Sequence, residues 1–226
     1  MNVMMLLYPN LTQLDLTGPF EVLARYKELT LHLVWKDTEP VRDGSGLRIV
    51  PTCSFADCPQ ADILFVPGGP GIASLMEDIE VLGFLRRKAE GAKYVTSVCT
   101  GSLVLAAAGL LTGYRATCHW LSLPQLALFG VEPVSERVVV DRNRITGAGV
   151  TSGIDFALAL MAQIFGDERA KAVQLMIEYD PAPPFAGGSP ASAAPETIAA
   201  VKAVTGGFQA KREEVSRRAA AALAKA

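Results

Sequence analysis

The chain has 226 residues, 50% of them hydrophobic and 19% charged, which is enough apolar material for one sizeable core and excludes a disordered chain. Lys and Arg number 21 against 23 Asp and Glu, a formal charge of −2, which argues against a dedicated nucleic-acid binder. The longest apolar stretches, Val3–Tyr8 and Leu103–Leu111, fall short of the ~20 residues that cross a bilayer, so no membrane association is expected.

Asn2–Tyr8 is short, continuous and apolar, the pattern of a buried parallel strand. Thr17 reads as an N-cap, with Pro19 in the first turn of a helix continuing over Phe20–Arg25. Leu29–Trp35 alternates as a strand, Val41–Gly46 reads as a turn and Leu47–Val50 as a short strand. Asp62–Val66 is another apolar strand, ending in the breaker cluster Pro67–Gly71. Asp78–Ala92 has helical spacing, Lys93–Val98 is a strand, and Thr100–Leu110 is an Ala- and Leu-rich helix. Arg137–Val140 and Arg144–Thr146 flank a hairpin turn, and helices follow over Ser152–Phe165 and Glu168–Tyr179. Asp180–Pro190 is a Pro- and Gly-rich loop. Pro195–Ala226 is helical in composition, broken at Gly206-Gly207, with Lys211, Arg212, Arg217 and Arg218 forming a solvated basic face.

Alternating strands and helices predict an α/β domain with a largely parallel sheet flanked by helices, over residues 1–190. Residues 191–226 are expected to be a C-terminal helical extension, too short to build a core alone. Met1–Leu16 lacks a basic start and carries Asp15, so no signal peptide is expected and the cytoplasm is the expected compartment. Cys53, Cys58, Cys99 and Cys118 fit that compartment as reduced thiols. Their spacing matches no zinc pattern, and with His32 and His119 as the two histidines no metal is expected.

Cys99 lies between a strand and a helix start rich in small residues, Thr100-Gly101-Ser102. That is the setting of a nucleophile elbow, which lifts one side chain above the sheet. The helix N-terminus there would favour thiolate over thiol. A buried structural cysteine is the alternative. Asp15, between two leucines just past the first strand, is either a helix-cap residue or a buried carboxyl able to hold a proton at neutral pH. Pro67–Gly71 allows close backbone approach, and the N–H groups of Gly69 and Thr100 could together stabilise developing negative charge. This loop is neither a dinucleotide fingerprint nor a P-loop, so no nucleotide or other cofactor is expected. His119 and Cys118 read as structural residues beside Trp120.

Asp15-Leu16-Thr17-Gly18-Pro19, Pro67-Gly68-Gly69, Thr96–Leu105, Thr117–Trp120 and Gly153-Ile154-Asp155-Phe156 together resemble the ThiJ/PfpI superfamily over essentially residues 1–180. That resemblance implies a flavodoxin-like, class I glutamine amidotransferase-like fold and a homodimer. Ser54–Pro59 and Tyr179–Phe185 draw the likeness towards members that hydrate isocyanides. It implies Cys99 as nucleophile, Asp15 as its acid/base partner, Thr100 as backbone donor, and Trp120 and Phe156 as walls of a substrate slot. Glyoxalase- or deglycase-like members carry Glu where Asp15 stands and often His where Thr100 follows Cys99, so α-oxoaldehyde chemistry is the enzymatic alternative. AraC-type regulators share the Asp15–Pro19 and Thr117–Trp120 patterns, which keeps open a cysteine-based sensor. Only 36 residues follow Pro190, too few for the DNA-binding module those regulators add.

Overall fold

A computed structural model describes residues 1–225. In chain order the elements are β1 (Asn2–Leu6), α1 (Gln13–Leu23), β2 (Thr30–Trp35), β3 (Val41–Arg42), β4 (Arg48–Ile49), β5 (Cys53–Ser54), β6 (Ile63–Val66), α2 (Ile72–Leu75) and α3 (Ile79–Glu90). There follow β7 (Tyr94–Val98), α4 (Gly101–Ala107), β8 (Arg115–Ala116), a 3₁₀ segment (Leu123–Phe129), β9 (Glu132–Pro133), β10 (Val138–Asp141), β11 (Arg144–Gly147), α5 (Ser152–Phe165), α6 (Asp167–Met176) and α7 (Pro195–Leu223).

Seven strands form one sheet in the order β10-β11-β7-β6-β1-β2-β5, every neighbouring pair parallel except β10 with β11. The central strands β1 and β6 are apolar throughout their buried lengths because helices cover both faces of a parallel sheet, and β7 adds two buried polar residues, Thr96 and Ser97, whose hydroxyls are hydrogen-bonded. α1 and α6 pack with α5, while α2, α3 and α7 gather around α4. β2 lies on one side of β1 and β6 on the other, so the chain changes direction across the sheet at β1. Open α/β sheets hold their ligands in the crevice at such a point, outside the carboxyl ends of the strands. The segments after β1, β6, β7 and β11 all emerge there.

Four expectations change. The first helix begins at Gln13, not near Thr17, so Asp15 lies in its first turn and Pro19 inside it. Tertiary packing overrides the breaker: Gly153 of α5 leaves so little room that a Cβ there would sit 3.0 Å from Pro19 Cδ. Val41–Arg42, read as part of a turn, instead pairs antiparallel with Arg48–Ile49. The last helix runs unbroken through Gly206-Gly207, because docking of its Arg212, Ser216 and Ala219 face holds a helix long enough to carry two poor helix formers. Arg217 and Arg218 are solvated as expected, but Arg212 is buried. Among the described residues, no helix is long and apolar enough to cross a membrane.

Candidate active site

Cys99 occupies the turn between β7 and α4 with φ of 58°, a left-handed conformation that a side-chain-bearing residue rarely adopts. Its N–H is shared between the carbonyls of Gly147 (3.0 Å) and Ala148 (2.7 Å), which fastens the elbow to the end of β11. The turn is this sharp because Gly101 follows: a Cβ there would lie 2.1 Å from the Val66 carbonyl oxygen. Ser102 then ties the helix start to its surroundings, its hydroxyl donating to Thr117 O (2.7 Å) and lying 2.9 Å from Ser97 Oγ.

Asp15 reaches the same place from α1. Its carboxylate Oδ2 accepts the Gly68 N–H at 3.0 Å, while Oδ1 is buried and receives no hydrogen bond of normal geometry. Burial pushes the carboxyl from its ordinary value of 3.8 up to about 7, against the lowering influence of the Cys99 side chain and the Gly68 amide. The loop after β6 completes the arrangement. A Cβ on Gly68 would lie 2.5 Å from Thr100 N and 2.8 Å from Asp15 Oδ2, so the three segments meet only because this position has no side chain.

Asp15, Gly68, Gly69, Cys99 and Thr100 therefore converge, but not with the expected division of labour. The Gly69 N–H already donates to Thr100 Oγ1 at 3.0 Å, so it is occupied rather than presented to a reacting atom. Thr100 contributes its backbone N–H to the Cys99 sulfur, which favours the thiolate. The elbow does not yield a low thiol pKa: burial first, then the charges of Asp15 and Cys118, hold Cys99 well above its ordinary value. Desolvation outweighs a helix of seven residues whose N-terminus is itself interior.

Cys118 is fully enclosed near Cys99, and burial lifts its thiol to about 12, as suits a structural residue. His119 is held below its ordinary value by burial and by the charge of Arg212, and its Nδ1 lies 3.3 Å from the Leu121 N–H. Trp120 is half-buried next to it, the two rings 6.1 Å apart. Phe156 is not a slot wall: it is wholly inaccessible and stacks on Phe65 at 5.6 Å inside the core. Tyr8, part of the strand the sequence predicts, lies past the end of β1. Its hydroxyl donates to Pro67 O at 2.9 Å, and it lies within the electrostatic reach of Asp15, Cys99 and Arg212. Among the described residues, no cluster of three or more His, Cys, Asp or Glu could hold a metal ion.

An elbow cysteine with a buried carboxyl from the first helix, on a sheet of this order, accords with the family assignment: the chain belongs to the DJ-1/PfpI family, whose profile matches residues 1–163. A Pseudomonas putida protein named isonitrile hydratase is 50% identical over 218 residues, spanning 96% of each chain. The crystal structure of a ThiJ/PfpI family protein from Pseudomonas syringae matches with a TM-score of 0.93 at 44% identity, over 95% of this chain and 90% of that one. The HTH-type transcriptional regulator GbdR of Pseudomonas aeruginosa is 33% identical over 183 residues, which is 77% of this chain and 50% of the regulator.

Proposed function

We propose that the protein hydrates an isocyanide (isonitrile) to an N-substituted formamide, with Cys99 as nucleophile and Asp15 as the group that moves protons. The observation that carries this reading is a carboxyl poised near pH 7 beside an elbow cysteine, in a chain half identical to the Pseudomonas putida protein along its length.

The resting pair is a thiol and a carboxyl that is partly ionised at neutral pH. Asp15 takes the thiol proton as Sγ bonds to the terminal isocyanide carbon, then returns it to that carbon, giving a thioimidate, S–CH=N–R. The carboxylate next takes a proton from water as the hydroxyl adds to the same carbon, and passes that proton to nitrogen. Loss of the hydroxyl proton and cleavage of the C–S bond release the formamide, and sulfur recovers its proton. One water is consumed and no electrons are exchanged. Thr100 N–H supports the thiolate, Gly69 N–H fixes the Thr100 side chain, and Trp120 lines the space for the organic substituent.

A homodimer suits the apolar residues left exposed near the end of α6 and beyond it, Leu175, Met176 and Phe185. Four free thiols suit the reducing cytoplasm.

The test is formamide production from an aromatic isocyanide. Wild type should turn over, Cys99→Ala should lose activity to background, and Asp15→Asn should fall by at least about a hundredfold. Full activity in Cys99→Ala would exclude the covalent route. Faster lactate formation from methylglyoxal than isocyanide hydration would favour the α-oxoaldehyde reading instead.

A further inference from the structure

The loop that meets Asp15 is gripped on its other side by a phenol. Tyr8 is wholly buried just past β1, and its hydroxyl donates to Pro67 O at 2.9 Å. The same peptide unit carries the Gly68 N–H, which donates to Asp15 Oδ2 at 3.0 Å. A peptide unit is planar, so one rigid plate joins the two side chains: the phenol holds its carbonyl end and the carboxylate its amide end. The next unit is held likewise, Gly68 O accepting the Thr12 N–H at 2.9 Å while the Gly69 N–H donates to Thr100 Oγ1 at 3.0 Å.

The tilt of the Pro67–Gly68 plate depends on the rotation before it and the rotation after it. The proline ring fixes φ of Pro67 but not ψ, and Gly68 has no side chain to restrict its φ. Neither residue type decides which way the plate faces, and a reversed plate would turn a carbonyl oxygen onto the carboxylate. Among the described residues, no second donor reaches Pro67 O. Asp15 Oδ1 has no partner, so the Gly68 N–H is the backbone donor on which the ionised carboxyl relies, and this bond opposes the effect of burial on its acidity. A hydrogen bond accepted at the carbonyl end also polarises the amide and strengthens its N–H as a donor, by about 10–30%.

We infer that Tyr8 is a positioning residue for Asp15: its hydroxyl fixes the Pro67–Gly68 peptide so that the Gly68 N–H faces the carboxyl and supports its ionised form. This deepens the reading of Asp15 as the group that moves protons and rests on it. The titratable groups facing Asp15 are Cys99 at the elbow, Cys118 after β8 and Tyr8 itself, and Arg212 of α7 faces those three. Asp155, the charged residue of the neighbouring α5, is taken by Arg137 and Tyr179. Burial holds the phenol and both thiols protonated around neutral pH, and a guanidinium keeps its charge, so the carboxyl titrates alone among them.

The test is an NMR titration of the Asp15 carboxyl carbon in the full chain, from about pH 4 to about pH 10, with the signal assigned by its absence from Asp15→Asn. Tyr8→Phe removes the hydroxyl and keeps the ring; Tyr8→Leu carries the same prediction should the first variant fail to fold. In either, the carboxyl should hold its proton about threefold more tightly, its midpoint moving about half a pH unit alkaline. The acid limb of kcat/KM for an aromatic isocyanide should move with it. Tyr26→Phe removes another buried tyrosine hydroxyl, one without a partner, and should leave the midpoint within about 0.1 pH unit of wild type. A midpoint that stays in place or falls in the Tyr8 variants overturns the proposal, and with a loss of stability alone Tyr8 would be a core residue only. An equal displacement in Tyr26→Phe overturns it too. The expected displacement in a protein that turns over no isocyanide would support the role of Tyr8 while removing the proposed reaction.

Discussion

Asp15→Asn should make the protein more resistant to unfolding, relative to wild type, as the pH rises. Burial lifts the wild-type carboxyl from 3.8 to about 7. An acid raised in this way binds its proton more tightly in the native state than in the unfolded chain. Its contribution is therefore fully present below the unfolded value and is lost as the pH climbs through about 7. At about 1.4 kcal/mol per tenfold change in acidity, the whole loss is about 4 kcal/mol. Between about pH 5 and about pH 8 the loss is about 2–3 kcal/mol. The asparagine keeps the shape and can still accept the Gly68 N–H, but carries no charge. Its amino group would lie where Oδ1 has no partner, a cost of about 1–3 kcal/mol that does not vary with pH. Urea unfolding of both proteins at fixed concentration isolates the effect, because the groups that feel the Asp15 charge, Cys99, Cys118 and Tyr8, are held protonated by burial over this interval and the others titrate alike in the two chains. The stability difference should move by about 2–3 kcal/mol in favour of the variant over that interval. A difference flat to within about 0.5 kcal/mol would refute the claim that burial governs this carboxyl.

Gly68→Ala should lower kcat/KM for an isocyanide by at least about a hundredfold, since the new methyl would press on the Thr100 backbone and the Asp15 carboxylate, neither of which can yield without losing the arrangement. Steady-state kinetics together with a thermal midpoint would separate this loss from simple unfolding. Gly206→Ala and Gly207→Ala should act oppositely: nothing lies within 4 Å of a Cβ at either position, so each should stabilise the helix by about 1 kcal/mol and leave turnover unchanged. A fall in the thermal midpoint would show that this face of α7 is covered in solution.

Much of the site was legible because it sits where sequence patterns change abruptly. Cys99 stands between a β-rich run and an alanine-rich one, and the strand and helix observed on either side, Tyr94–Val98 and Gly101–Ala107, fall within the predicted ones. Ser152–Phe165 was legible to the residue, from glycine-marked entry to apolar end. What escaped was whatever depends on distant segments meeting. Gly18-Pro19 looks like a helix boundary until α5 packs against it. Gly69 looks like a free amide until Thr100 arrives to accept its proton. The thiol looks activated until its burial is known, and a basic tail looks solvated until one of its arginines is found inside. Phe156 shows the same limit: an aromatic next to a site motif has no direction until the sheet supplies one.

The parallel order of the sheet also sets how the site comes into being. β1 must pair with β2 on one side and with β6 on the other, and no tight turn can make either junction. The Asp15–Gly68 bond closes a stretch of 53 residues and the Gly69–Thr100 bond one of 31. Contacts so remote in the chain cannot form ahead of the strands that carry them, so the topology favours slow folding, in which the chemical centre appears only once the strand register is complete.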